Sequence, residues 1–311
     1  MLQRSGLGVH LGRGLTITSV GQADDIGLLS NDIYCLLNIL YLTQNYCKAF
    51  NVNLCADKTK LLHIATNGSN KFLPLNPIFM DGQEIPFSEK AVHVGVVRST
   101  DGNLPHLLER ILSHKKKLGA VMFTGIARSH RGNPAAAVKM EKLYGMPVLF
   151  SGVGSLVLNG FEINIINQHY KNTLTSLLKL HPGTPHPFIY FMSGSLPGKA
   201  ILHHRQLSLF NMICHLPNDP LNIQAKQVLT CHLSSSKSWF LQVRDICLLY
   251  GLPHPLHLLQ TPLPKSAFKK LVRASILDYW EIKLRQEASP MTSLAHFKPE
   301  FSSLLHLLRA R

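Results

Sequence analysis

Strand-like spacing of apolar residues is confined to the start of the chain, and helical spacing takes over beyond residue 103. Gly14-Leu15-Thr16-Ile17-Thr18-Ser19-Val20-Gly21 is β-rich, and a short apolar run, Ile26-Gly27-Leu28-Leu29, follows. Gln22-Ala23-Asp24-Asp25 lies between them, so the pattern predicts a hairpin with Asp24 and Asp25 side by side at its tip. Over residues 31–49, Ile33, Leu36, Leu37 and Leu40 recur at i, i+3, i+4 and i+7. This predicts a helix capped by Ser30 or Asn31, with that stripe in the core behind the hairpin. Residues 60–66 and 92–97 read as short strands. Between them, residues 67–90 hold Gly, Ser, Asn and three prolines and read as an irregular excursion.

Pro105 opens a helix with Leu107, Leu108, Ile111 and Leu112, closing in His114-Lys115-Lys116-Lys117, where the helix dipole favours cations. Asn133-Pro134 is a cap followed by proline at the first helical position, and Gly145 with Pro147 marks an end. Further helices are expected over about 161–180, 197–215, 220–232, 236–251 and 265–288. Four prolines between 252 and 264 read as a linker. The fold class expected is α+β, with a β-containing region over residues 1–100, a helical region over 101–190 and a second helical region over 191–311.

Charge changes the picture. The chain has 311 residues, 32 Lys and Arg against 17 Asp and Glu, and a net charge of +15. That balance favours a polyanionic partner through phosphate neutralisation and counterion release. Charged residues are only 16% of the chain, which points to surface that another polypeptide portion covers. The basic runs at Lys115, Lys116 and Lys117 and at Arg128, His130 and Arg131 flank one short segment, as a phosphate-tracking patch would.

Several chemistries are excluded by spacing. The six cysteines form no Cys-x-x-Cys, so neither a zinc knuckle nor a redox pair is indicated. No His-Glu-x-x-His, no Gly-x-Ser-x-Gly and no phosphate-loop spacing occurs. Residues 143–161 carry no charge, but four glycines and several polar residues interrupt them, so no membrane span is expected. Met1 to Gly6 lacks the apolar core of a leader, and an intracellular, reducing setting is expected.

Asp24-Asp25 supplies hard oxygen ligands suited to Mg²⁺. Its surroundings carry more information than the pair. Ala23-Asp24-Asp25-Ile26-Gly27-Leu28-Leu29-Ser30 is followed by Asn53-Leu54-Cys55-Ala56-Asp57-Lys58-Thr59-Lys60 and by Val92-His93-Val94-Gly95-Val96-Val97. This order resembles the later palm motifs of reverse transcriptases of non-LTR (LINE-type) retrotransposons. Gly125-Ile126-Ala127-Arg128, Asn133-Pro134, Pro147-Val148-Leu149-Phe150-Ser151-Gly152, Gly194-Ser195-Leu196-Pro197 and Tyr279-Trp280 extend the resemblance over nearly the whole chain.

The resemblance implies a truncated palm over 1–100, a thumb-like region over 101–190 and a helical C-terminal region. It implies RNA-directed DNA polymerase ancestry, with an RNA template, a DNA primer and deoxynucleoside triphosphates as partners and Mg²⁺ as cofactor. Asp24 and Asp25 match the metal ligands, and Lys58 the lysine that approaches the triphosphate. The turn at Gly95, with Arg98, matches the primer grip, and Lys115, Lys116, Lys117, Arg128 and Arg131 would hold the template–primer backbone. Gln22 stands where the family has an aromatic residue, and no acid stands upstream of the hairpin to match the family's third metal-binding Asp. The chain is therefore expected not to polymerise by itself. A non-catalytic nucleic-acid-binding module and a decayed element remnant are the alternative readings.

Overall fold

Local pairing between short strands organises the N-terminal region. A computed structural model describes residues 6–12, 14–22, 24–64, 76–123, 133–231 and 237–297. The chain divides into two units, Met1–His106 and Leu107–Arg311.

In the first unit the strands pair as four antiparallel hairpins: β1 (Val9–Gly12) with β2 (Leu15–Ile17), β3 (Ser19–Gln22) with β4 (Asp25–Leu28), β5 (Phe79–Met80) with β6 (Gln83–Glu84), and β7 (Lys90–His93) with β8 (Val96–Ser99). Helix α1 (Ile33–Ala49) follows the second hairpin. Its cap is Asp32, one residue beyond the expected pair, and the Asp32 carboxylate accepts from the Cys35 amide at 2.9 Å. Leu40 joins Ala56, Ile78, Met80 and Ile85 in a small core, with Leu28 of β4 and Ile33 packed against it. The helix thus covers β4 as the apolar stripe requires. Leu37 departs from that expectation, being 38% exposed, and Tyr34 and Tyr41 on the same side are 77% and 63% exposed.

Two expected strands change form. Of residues 60–64 only Leu61 pairs, in a single parallel bridge to Phe87, and 65–66 lie outside the described residues. Residues 92–97 form no single strand, because Val94 and Gly95 both take positive φ (52° and 71°) and turn the chain back as β7–β8. Two consecutive left-handed residues make the tight turn whose twist matches a hairpin.

The second unit is helical: α2 (Leu104–Phe123, beginning in the first unit), α3 (Pro134–Met140), α4 (Met146–Leu149), α5 (Gly160–Leu177), α6 (His186–Ser193), α7 (Gly198–Cys214), α8 (Pro220–Thr230), α9 (Trp239–Leu249), α10 (Pro255–Gln260) and α11 (Lys265–Ala288). Asn133 caps α3 as its sequence predicts, accepting from Ala135 and Ala136, with Pro134 at the first position. The expected stop at Gly145 and Pro147 does not occur. A π turn over Glu141–Gly145 joins α3 to α4, and the Met146 amide donates to the Glu141 carbonyl. The wider turn accepts Pro147, which has no N–H to give and whose ring would press on the preceding turn of a regular helix.

The proline-rich segment 252–264 is no linker. Pro255 sits at the start of α10, where its missing N–H costs nothing, and Leu258 and Leu259 are buried. Helix α11 buries Phe268, Val272, Ile276, Trp280, Leu284 and Ala288, one residue every fourth position, chiefly against α7 and α6. Trp280 donates to the Tyr250 hydroxyl at 3.1 Å, and Tyr250 bonds His203 at 2.9 Å, so α7, α11 and the end of α9 share one buried polar link. No helix among the described residues is long and apolar enough to cross a membrane.

Candidate functional site

The acidic pair lies where the hairpin pattern puts it. Gln22 pairs with Asp25, which leaves Asp24 in the turn, and both aspartates are exposed. Strand alternation puts Asp25 and Gly27 on one face, and Ile26 and Leu28 on the other, where Leu28 reaches the core below α1. The Asp25 face is the one approached by the Gly95 hairpin: a Cβ at Gly27 would stand 3.9 Å from His93 Nε2. The structure therefore brings the acidic hairpin and the Gly95 turn into the same neighbourhood. That turn is also strained, since Val94 is a β-branched residue held at φ 52° while 48% exposed.

Lys58 ends a 3₁₀ turn over Ala56–Lys58, with Ala56 buried and Lys58 exposed. Arg98 is exposed on β8. Among the described residues no hydrogen bond or ion pair joins Lys58 or Arg98 to Asp24 or Asp25, and no group of three or more His, Cys, Asp or Glu side chains is gathered as a metal would need. Asp24 and Asp25 fit one Mg²⁺ that also takes ligands from a phosphate and water. They do not by themselves fit a two-ion centre.

The net charge is unevenly distributed. Residues 1–106 hold eight Lys and Arg and eight Asp and Glu, whereas residues 107–311 hold 24 and 9, so the whole +15 belongs to the second unit. Lys115, Lys116 and Lys117 are exposed there. The sequence pattern places them at a helix end, but α2 continues for six more residues to Phe123. The helix-end dipole acts only within the last turn, so it does not account for three consecutive lysines in a helix interior. Among the described residues none of the three is ion-paired. Arg128 and Arg131 lie outside the described residues.

His114, part of this basic run in the sequence, faces the opposite way. It is fully buried, and its Nε2 bonds the equally buried Glu141 carboxylate at 2.8 Å while Nδ1 meets His169 Nε2 at 2.9 Å. Burial, reinforced by the charges of His114 and Lys115, pushes the His169 pKa down to about 4. Glu141 begins the π turn, and a side chain at Gly145 would fall on its carboxylate. One Glu141 oxygen has no partner. This chain of three side chains fixes α2 to the π turn and α5, and so fixes which way Lys115–Lys117 point. No local signal in the sequence marks it, because its members come from three separate helical segments. Lys142, the next residue, donates to the carbonyls of Ser193 and Gly194 at 3.1 and 2.7 Å and holds the end of α6.

The geometry is thus an acidic hairpin beside a strained turn in a unit of zero net charge, and three consecutive exposed lysines on an anchored helix in a unit that carries the entire excess of cations. No family model, no curated protein and no solved structure matches this chain.

Proposed function

We propose that the chain binds a template–primer, an RNA strand paired with DNA, and that it is the later palm and thumb-like portion of a LINE-type reverse transcriptase that does not polymerise by itself. The observation that carries the reading is Lys115–Lys117: three exposed lysines inside a helix, with no dipole or described ion pair to account for them, on the unit that holds all the net charge. The exposed Asp24 and Asp25 at the hairpin tip add the second support. They would hold a Mg²⁺ whose charge offsets that of bound phosphates. By the same resemblance Lys58, Gly95 and Arg98 would contact nucleic acid from the first unit, and Arg128 and Arg131, outside the described residues, would add cations a few positions beyond the lysine run.

The test is binding of a labelled RNA–DNA primer–template to the purified chain and to its Lys115→Gln/Lys116→Gln/Lys117→Gln variant. On this reading the variant loses affinity and its dependence on salt flattens, by about 0.9 in log–log slope for each phosphate that is no longer neutralised. Equal affinity and slope in both proteins would exclude Lys115–Lys117 as the binding group. The two-carboxylate donor set supports the absence of polymerisation by the chain itself, and primer extension abolished by Asp24→Ala would overturn that part of the reading.

A further inference from the structure

Lys199 of α7 and Lys283 of α11 belong to two helices packed on each other, and together they make a second cationic group on helices the first does not use. Lys199 lies in the first turn of α7, where the dipole already places positive charge, and no acidic residue stands in that turn. Lys283 reaches from α11 across the faces of its neighbours, with Nζ 5.0 Å from the Trp280 ring centroid and 5.9 Å from that of Tyr279. Both lysines are half-buried. Burial, together with the Lys283 charge, holds Lys199 below the ordinary lysine range. Among the described residues neither ammonium group has a carboxylate partner. Like charges brought together with partial loss of water cost free energy, and a bound anion offsets that cost.

An open pocket of about 240 Å³, lined by Tyr279, Ile282, Lys283 and Gln286, adjoins Lys283. Positive charge continues along the same two helices. Lys269 and Arg273 of α11 and Arg205 of α7 act, after burial, to lower the pKa of His204. Lys199 and His204 are about 7.5 Å apart along the axis of α7. Cations repeated over that length suit a strand with successive phosphates better than a single small anion.

We propose that Lys199 and Lys283, with the pocket beside Tyr279 and Gln286, bind the phosphodiester backbone of a nucleic-acid strand at a site separate from Lys115–Lys117. The separation follows from α5. The Asn167 carboxamide accepts from the Lys199 amide at 3.2 Å, and His169 meets His114. Residues two apart on a helix point about 200° from each other. The start of α7 and the middle of α2 therefore pack on different sides of α5. This inference rests on the nucleic-acid reading above and adds a second strand-binding surface to it.

The experiment uses the full chain, a labelled single-stranded oligonucleotide and a salt series, with Lys199→Met/Lys283→Met, which keeps most of each aliphatic stem. With two fewer phosphates neutralised the log–log slope falls by about 1.4, and combining this variant with the Lys115–Lys117 substitutions lowers it further. An unchanged slope in the folded methionine variant, with a loss in the Lys115–Lys117 variant, overturns this proposal and leaves the α2 reading standing. A loss in the methionine variant alone supports this site and removes the other. Absence of binding by the unsubstituted chain overturns both. Should the methionine variant not fold, amine acetylation of the unsubstituted chain decides. Protection of Lys199 and Lys283 by the oligonucleotide supports the site. Modification at equal rates with and without it, or equal protection by inorganic phosphate at the same concentration of phosphorus, overturns it.

Discussion

Replacing His114 by Ala should lower the unfolding midpoint of the second unit. His114 and Glu141 are both fully buried, and the bond between them is the one described hydrogen bond of the Glu141 carboxylate, whose other oxygen has none. His114→Ala leaves a buried carboxylate without a partner. Breaking a buried pair in this way costs about 3–5 kcal/mol. For a unit of roughly 200 residues, each kcal/mol moves the midpoint by about 2–4 °C, so the expected shift is on the order of 10 °C. Removing both polar groups is a different perturbation. In His114→Leu/Glu141→Met no charge is buried, His169 keeps access to water, and most of the loss should return. Gly145→Ala gives a third point: its methyl group would displace the Glu141 carboxylate from His114, a loss of about 1.5–3 kcal/mol for a charge-assisted bond. Thermal unfolding followed by circular dichroism reads all three. A His114→Ala shift below about 1 kcal/mol, or a double variant no better than the single, would refute the view that this pair holds α2 in place.

Acid should weaken the second unit. Burial, with the Lys199 charge, lowers the His203 pKa from 6.5 to about 3, so between these values the unfolded chain binds the proton that the folded chain refuses. The His203 contribution to stability then rises with pH through that window and is lost as pH falls from about 6.5 towards 3, at about 1.4 kcal/mol per pH unit in mid-window; His169 and His204, also lowered, add to it with the same sign, so His203→Gln should reduce the slope in urea titrations by that amount. Val94→Asn should stabilise the first unit by about 1 kcal/mol in the same assay, because Asn-Gly suits the left-handed turn that Val94 occupies under strain, and a loss of stability would show that the turn is not strained. Asp24→Ala should leave nucleic-acid affinity in magnesium-free buffer unchanged or slightly higher, since it removes one exposed negative charge; a large loss by fluorescence anisotropy would assign Asp24 a direct binding role.

Local structure is what the sequence makes legible. The Gly21–Leu28 hairpin, the Asn133-Pro134 cap and the bounds of α11 follow from residues that interact with near neighbours. Reading fails where the decisive partner is distant. Leu37 has the spacing of a core residue, but it stands 38% exposed on α1. Four prolines between 252 and 264 suggest a linker, yet Pro255 opens a helix that packs on α8 and α7. Gly145 and Pro147 resemble a stop, but the π turn, built on a buried Glu141, carries the helix through. The lysine run is visible, but its meaning depends on α2 extending past it. The Lys199–Lys283 pair joins residues 84 positions apart, which no spacing rule detects.

The most direct measurement is the affinity of the unsubstituted chain for an RNA–DNA primer–template across a salt series. A linear fall of log affinity against log salt, with a slope of about −2.7 or steeper, corresponds to about three or more neutralised phosphates and is the predicted result. No binding at low salt by a chain shown to be folded would mean that the cations of the second unit do not form a working nucleic-acid surface.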